Sequence, residues 1–415
     1  MPNPLLVGVD VHRQTNTVCL MDQAGHVLGP RFSIDNNRPG AEAFVHQVAH
    51  QVVTGDFDAI QIAAEATGYY WWHFFQTLSR DPLLQQWPLQ LYPLNPRLTA
   101  NFAKTYLDRD HTDLGDAFVI ADRLRMGRDL PPPYQLDARY LAVRLLTRYR
   151  FHIVHALVRE KAYALAILYL KASEYARRKP FGNLFGAASR ALLQEFSSLE
   201  AIAALPFDEL VEWLDVRGKR RFADPQDNAR TLQQVACDSY VLPTALQLPI
   251  HQTLGWSLQH VTFLEGQIKR LDSAIADQLT SIPHTLETIP GVGPVFAGGI
   301  VAELGDIARF EYQQAKVAKF AGFKWRKHQS GDFTAEETHL TRTGNRYLRY
   351  YFCEAANAVR MHDAEYAAYY DRKYREVRQH QHKRAIVLTA RKLVRLVVRL
   401  LTTNQPYQPR RPATS

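Results

Sequence analysis

Apolar, β-branched residues run almost unbroken from Leu5 to Val11 and again from Ala59 to Ala64, which predicts two buried strands ending near Asp10 and Glu65. Between them the segments NTVCLMD and HVLGPRFSI alternate apolar and polar positions around the turn Gln23-Ala24-Gly25, so a three-stranded antiparallel meander is predicted. A helical spacing follows over residues 39–53, then the strand Ala59–Gly68, the helix YYWWHFFQTL, the strand Leu89–Asn95 and the short helix PRLTANFAKTY. A further helix is predicted to start near Thr112 in HTDLGDAFVIADRLRM. The break Pro131-Pro132-Pro133 marks a boundary, and residues 136–178 then carry apolar positions at helical spacing without Gly or Pro. Shorter helices are predicted over 181–241. From Leu254 to Leu279 the apolar positions fall every three or four residues, a spacing that suits a coiled-coil seam and, equally, the core of a helical bundle.

Three strands, helix, strand, helix, strand, helix is the order of an RNase H-like α/β domain, in which acids at strand ends and on a late helix meet at one edge of the sheet. The predicted architecture is therefore α/β plus all-α. An RNase H-like (RuvC-like) domain spans residues 1–130 and a helical, coiled-coil region 131–282. A helical C-terminal domain with a helix-hairpin-helix-like element covers 283–403, and a disordered tail rich in Pro and Gln covers 404–415. The acids in question are Asp10, Glu65, Asp113 and Asp116. Asp113 and Asp116 stand three apart, on one face of a helix start. Each alone reads as a capping or solvated acid, but charges at the ends of two apolar strands need partners, and four converging carboxylates suit a hard cation such as Mg²⁺.

Charge sharpens the division of the chain. Lys and Arg outnumber Asp and Glu by 50 to 41 over 415 residues, and from Arg309 onward 22 basic residues face 9 acidic ones, so the first 308 residues are net acidic. A polyanion partner is expected for the C-terminal part. The widely separated Cys19, Cys237 and Cys353 fit neither a disulfide framework nor a cysteine zinc site and are read as reduced core residues. Neither a signal segment nor an apolar stretch of membrane-spanning length is evident, so a soluble cytoplasmic protein is expected.

In the basic part, Gly291-Val292-Gly293 before an apolar helix either receives a phosphate at the helix N-terminus or simply makes a tight turn. Lys316, Lys319, Lys324, Arg326 and Lys327 interleave with Phe320, Phe323 and Trp325, a pattern for phosphate contact and base stacking. The basic run Arg217–Arg221 is either a solvated loop or an RNA contact.

The phrases GVDVHRQTNTV, EATGYY and NPRLTANF…HTDLGDA, with AGF…QSG…RTGNRYLR further on, resemble the DEDD transposases of bacterial insertion sequences, the bridge-RNA-guided recombinases. The resemblance covers residues 1 to about 125 and 283 to about 400. It implies that Asp10, Glu65, Asp113 and Asp116 bind Mg²⁺ and that Ser330, within Ser330-Gly331, is the nucleophile that forms a phosphoserine link to DNA. Gly344, Asn345 and Arg349 match the downstream motif. Nucleic acid is expected at Gly291, Gly293, Lys324, Arg326, Lys327, Arg342, Asn345 and Arg349. His111, Arg13 and Arg342 stand where the family has lysine, and the loop carries Glu336-Glu337. The implied partners are the element ends and target DNA, a structured bridge RNA, and further copies of the chain in a dimer or tetramer, pairing along the coiled coil so that the acids of one protomer meet the serine of another. A hydrolytic RuvC-like nuclease using the same acids, with Ser330 idle, is the alternative, and a non-catalytic architectural protein the third reading.

Overall fold

The computed structural model describes residues 3–106, 112–128, 130–131, 133–134, 137–325, 329–330, 333–334, 340 and 344–409. By compactness the chain divides into two units, residues 1–138 with 306–314, and residues 139–305 with 315–415. The first unit is α/β. The strands β1 (Pro4–Val11), β2 (Thr15–Met21) and β3 (Phe32–Asp35) form the expected meander, followed by α1 (Arg38–Thr54), β4 (Ala59–Glu65), α2 (Tyr70–Leu78), β5 (Leu89–Leu94), α3 (Pro96–Ala103) and α4 (Asp113–Met126). The sheet order is β3-β2-β1-β4-β5, antiparallel among the first three strands and parallel from β1 to β4 to β5.

Strand alternation sorts the side chains into two layers. Leu5, Val7, Val9 and Val11 pack with α1 and α2 residues such as Phe44, Val48 and Phe75, whereas Leu6, Cys19, Met21 and Ala63 pack with Ala117, Ile120 and Leu124 of α4. Gly8 lies on this second face. A Cβ there would come 2.2 Å from the Ala117 carbonyl oxygen and 2.3 Å from the Ala121 amide nitrogen, so only glycine lets α4 lie this close on β1.

Among the described residues the second unit is helical apart from the two-residue strands β6 (Gln329–Ser330) and β7 (Phe333–Thr334). Its long helices are α5 (Ala138–Lys171) and α11 (Thr244–Leu279), with α6 (Tyr175–Arg178), α7 (Ala187–Glu195), α8 (Leu199–Ala203), α9 (Phe207–Arg217) and α10 (Pro225–Asp238) between them. The expected helix over 136–178 is interrupted after Lys171. The Lys171 side chain turns inward, donating to the carbonyls of Leu193 (3.1 Å) and Phe196 (2.6 Å), with His251 Nδ1 at 3.1 Å, and burial lowers its pKa to about 8. In the other direction, α11 begins ten residues before the predicted Leu254 and carries Pro249 inside it. The proline, normally a helix breaker, concealed that start.

Helices α5 and α11 run antiparallel, joined by Arg150–Asp272, Lys161–Glu265 and Glu160–Ser257. Leu254, Leu258, Val261 and Leu264 of the apolar seam are buried inside this unit, so the seam serves the chain's own bundle. Pointing outward instead are Tyr149, Tyr163 and Leu170 of α5 and Trp256 and Phe263 of α11. The C-terminal helices α12 (Pro294–Leu304), α13 (Gln314–Phe320), α14 (Arg346–His362), α15 (Ala364–Arg375) and α16 (Gln381–Thr403) complete the unit. Before α12 stands the single 3₁₀ turn Leu286–Thr288 rather than a full helix. Residues 404–409, assigned from sequence to the tail, dock back: Tyr407 donates its hydroxyl to Asp363 and its amide to Thr288 Oγ1, and Thr285 donates to the Gln405 carbonyl. Cys19 is buried, but Cys237 is exposed on α10, against the expectation of a core position, because it follows the buried face formed by Leu232 and Val235.

Candidate metal centre and serine loop

Three features of the first unit place the acids, of which Asp10 and Asp113 enter one cluster and Glu65 and Asp116 do not. Asp10 lies near the end of β1 on the face covered by α4, 6% exposed. In the parallel pairing Gly8 is opposite Ala63, so the same register and alternation put Glu65, half-buried, on that face one strand over. Helix α4 is capped by Thr112, whose hydroxyl accepts from the Gly115 amide at 3.1 Å, and its first turn presents Asp113 and Asp116 to the positive end of the helix dipole. The close contact at Gly8 sets this turn beside β1.

The result is a cluster in which one ligand atom each from Asp10, His12 and Asp113 lies within 4.8 Å of the others. His12 Nε2 is 3.1 Å from Asp10 Oδ2 and 3.6 Å from Asp113 Oδ1. Asp10 is the buried member, while the side chains of His12 and Asp113 are 50% and 63% exposed, so the cluster opens to solvent and to a substrate. Asp116, half-buried, stands one turn further along α4. Carboxylates with an imidazole are donors for a divalent cation, and the donor set fits one. His12 had no role in the sequence reading. The signal was there, since residues two apart at a strand end share a face, and Asp10 predicted that face to be the functional one.

In the second unit Ser330 lies on β6, paired with Phe333 of β7, while Gln329 pairs with Thr334. An isolated bridge, Trp325 to Leu340, lies nearer the base of this loop. At the base itself Gly344 (φ +109°) approaches Gly322 (φ +79°) so closely that a Cβ on Gly344 would lie 2.7 Å from the Gly322 amide nitrogen. Asn345 follows. Its amide N–H donates to the Phe320 carbonyl at 2.7 Å, and its Oδ1 caps α14 by accepting from Tyr347 and Leu348. Its Nδ2 donates to Glu303 Oε2 at 2.6 Å.

Glu303, near the end of α12, is 2% exposed. Arg148 of α5 holds both its oxygens, Nε to Oε1 at 2.6 Å and Nη2 to Oε2 at 2.9 Å. Burial by itself would raise this carboxyl, but the bidentate Arg148, the nearby charge of Arg144 and the Asn345 amide together keep it below its ordinary range.

The nucleic-acid positions are distributed differently. Gly291 (φ +87°) packs on α14, where a Cβ would come 2.9 Å from the Ala358 carbonyl group, whereas Gly293 at the N-terminus of α12 faces open space. Lys324 is exposed, and Arg349 keeps a buried Nη1 without a hydrogen-bond partner among the described residues. The positions His111, Arg326, Lys327, Arg342 and Glu336-Glu337 lie outside the described residues, as do the side-chain contacts of Ser330. A basic face lies on α15 and α16, within the C-terminal part whose charge predicts a polyanion partner. Arg391, Arg395 and Arg399 follow one another at four-residue steps, and Lys392, Arg372 and Lys373 approach the Tyr369 ring at 4.8, 5.2 and 5.7 Å.

Two family models match the chain: a DEDD transposase model of the IS110 type over residues 7–170 and a transposase model of the IS116/IS110/IS902 family over residues 283–371. Among relatives, the uncharacterized 44.8 kDa protein of insertion element IS116 from Streptomyces clavuligerus is 26% identical over 330 residues, 77% of this chain and 78% of that protein. The uncharacterized 42 kDa protein of insertion element IS900 from Mycobacterium paratuberculosis is 26% identical over 320 residues, 75% of this chain and 77% of that protein. The first match spans β1 to α4, which carry the acids, and the second spans Ser330 and its anchoring loop base. Together they cover more than half of the chain, which belongs to the IS110 family of DEDD transposases.

Proposed function

We propose that this transposase cuts and rejoins DNA through a phosphoserine link at Ser330, with Mg²⁺ held by Asp10, Glu65, Asp113 and Asp116 in an RNase H-like domain. The observation that carries the metal half is the convergence of Asp10, His12 and Asp113 within 4.8 Å inside the family-matched segment. Strand order and the position of α4 over β1 support the RNase H-like assignment. Bound Mg²⁺ would supply charge neutralisation at the scissile phosphate and favour the ionised serine hydroxyl. The protein's own part is to keep Asp10 buried and fixed while Asp113 faces solvent at a helix N-terminus, where an approaching anion also meets a favourable dipole.

In the serine step the Ser330 oxygen bonds to phosphorus, the bond to the displaced deoxyribose oxygen breaks, and the hydroxyl proton ends on that leaving oxygen. The phosphoester is conserved, so rejoining needs no ATP, and the sequence carries no G-x-x-x-x-G-K-[ST] loop. Sequence choice is assigned to a structured bridge RNA that pairs with DNA while the protein reads backbone and shape. The basic α15–α16 face supports nucleic-acid binding. The exposed Tyr149, Tyr163, Trp256 and Phe263 support assembly into a homo-oligomer.

The test is cleavage of supercoiled DNA carrying the element ends, with the flanking noncoding RNA, resolved on a denaturing gel with and without protease. A protein-linked strand that depends on Ser330 and Mg²⁺ is the expected result. Free 5′-phosphate ends formed equally well by Ser330→Ala would establish a hydrolytic nuclease instead, and no cleavage under any of these conditions an architectural role. Mixing Asp113→Asn with Ser330→Ala protein then reports whether two chains share the work, restored cleavage being expected.

A further inference from the structure

The Glu303 carboxylate is an unusual choice for its place. A buried ion pair is weak as a source of stability, and apolar residues of similar volume commonly do as well. What the charge provides here is a junction. One oxygen pair receives Arg148 from α5, and Oε2 also receives Asn345, the first residue after the serine loop. A second clamp lies one residue earlier, where Arg144 donates through Nε and Nη2 to the Ala302 carbonyl at 2.9 and 2.7 Å. The end of α12 is thus tied twice to α5, and Asn345 is tied to the end of α12.

The loop inherits this fixation. Asn345 commits its backbone N–H, its amide oxygen and one amide N–H to Phe320, α14 and Glu303. Gly322 and Gly344, in backbone contact, close the loop, and between them the described strand pairings are Trp325 with Leu340, Gln329 with Thr334 and Ser330 with Phe333. Such short ladders cannot aim a side chain by themselves, since an isolated two-stranded hairpin is at best marginally stable in water. The described fixation of the segment that carries Ser330 lies at its base, at Gly322, Gly344 and Asn345.

We infer that Glu303, Arg148 and Asn345 are positioning residues for Ser330, and that Asn345 serves the reaction by fixing the loop base rather than by contacting nucleic acid. This rests on the proposed role of Ser330 as nucleophile. Misplacement of a reacting atom by about 1 Å can slow a reaction roughly a hundredfold while leaving binding intact. Loosening the junction should thus act on the rate of adduct formation and not on affinity for DNA.

The polarity of the Glu303–Asn345 bond permits a specific test. Asn345→Asp sets two carboxylates against each other yet retains an oxygen to cap α14. Adding Glu303→Gln restores a single hydrogen bond with its direction reversed. In single-turnover assays at saturating DNA and RNA, Asn345→Asp is expected to slow formation of the protein–DNA adduct at least about tenfold with DNA affinity within about twofold. The double variant should recover most of the rate. Hydrogen exchange at residues 321–344 should quicken in Asn345→Asp and slow again in the double variant, while amides of α5 and α11 stay unchanged. Equal losses of rate and affinity that the double variant does not recover would overturn the inference, as would unchanged exchange and rate in Asn345→Asp. Ser330→Ala in parallel separates the two readings: adduct formation by that variant would remove the nucleophile assignment, while the exchange data would still decide whether the junction fixes the loop.

Discussion

The acids and the serine are held by opposite means. Asp10 and Glu65 stand at the ends of adjacent strands in a packed sheet, and Asp113 and Asp116 on the first turn of a helix pressed onto β1, so core packing delivers these carboxylates. Ser330 stands on a two-residue strand whose loop, among the described residues, is fastened at its foot by a charged hydrogen-bond junction and a contact between two glycines. A cation site needs several donors at fixed separations, which a sheet and a helix provide. A nucleophile has to reach a phosphate, which a loop with a rigid base allows.

The contrast can be broken most severely at the acids. Asp113→Asn keeps size and helix start but removes a charge, and Mg²⁺-dependent strand cleavage is predicted to fall on the order of 10³-fold without loss of RNA binding. Wild-type cleavage by this variant would take Asp113 out of the site. Next comes Gly8→Ala, which forces a methyl group into the α4 backbone and is predicted to destabilise the first unit by about 1–3 kcal/mol, read as the urea midpoint, and to weaken Mn²⁺ binding with it. An unchanged midpoint would mean that α4 shifts freely and that packing does not hold the acids. The matching change at the other site, Gly344→Ala, strains a φ of +109° and presses on the Gly322 backbone, and is predicted to cost about 1 kcal/mol in urea unfolding and to slow cleavage several-fold. Large destabilisation there would erase the distinction between the two sites.

Smaller effects sharpen the picture. His12→Gln is predicted to weaken Mn²⁺ or Co²⁺ binding roughly tenfold, measured by titration calorimetry, with a lesser effect on Mg²⁺, since imidazole favours the softer ions. Equal affinities would leave His12 as a neighbour only. Lys171 bears on stability alone, far in sequence from both sites. Its folded pKa of about 8 lies below the ordinary 10.5, so between these values the unfolded chain binds more protons and the second unit gains stability as pH rises. From pH 7.5 to 9.5 the gain is predicted at about 1–2 kcal/mol, absent in Lys171→Met. Tyr175 and Tyr351, pushed upward by burial, work in the opposite sense only above about pH 10. A falling urea midpoint over that interval would contradict the assignment.

Most of the α/β unit was legible because period-two alternation and buried apolar runs are local signals, and the acids stood out as charges where such runs end. His12 shares a strand-end face with Asp10, a legible signal, but only the structure shows it lying between Asp10 and Asp113. Helix ends in the second unit were harder to read. Pro249 masked the start of α11, and the inward turn of Lys171 depends on carbonyls of α7 and on His251, more than twenty residues away. The seam of α11 was legible as a seam, but periodicity does not say whether its partner is another chain or α5. The motif around Asn345 was recognised, but its chemistry depends on Glu303, forty-two residues upstream.

The glycine at position 8 also sets an order of events. Asp10 and His12 lie at the end of β1, yet the helix that brings Asp113 to them is Asp113–Met126, about a hundred residues further along the chain, and it settles on β1 with Ala117 and Ala121 against Gly8. A growing chain therefore does not bring Asp10, His12 and Asp113 together until α4 has been synthesised and this distant pairing has closed. On the proposed metal role of these residues, a nascent polypeptide would cut no DNA before α4 is in place.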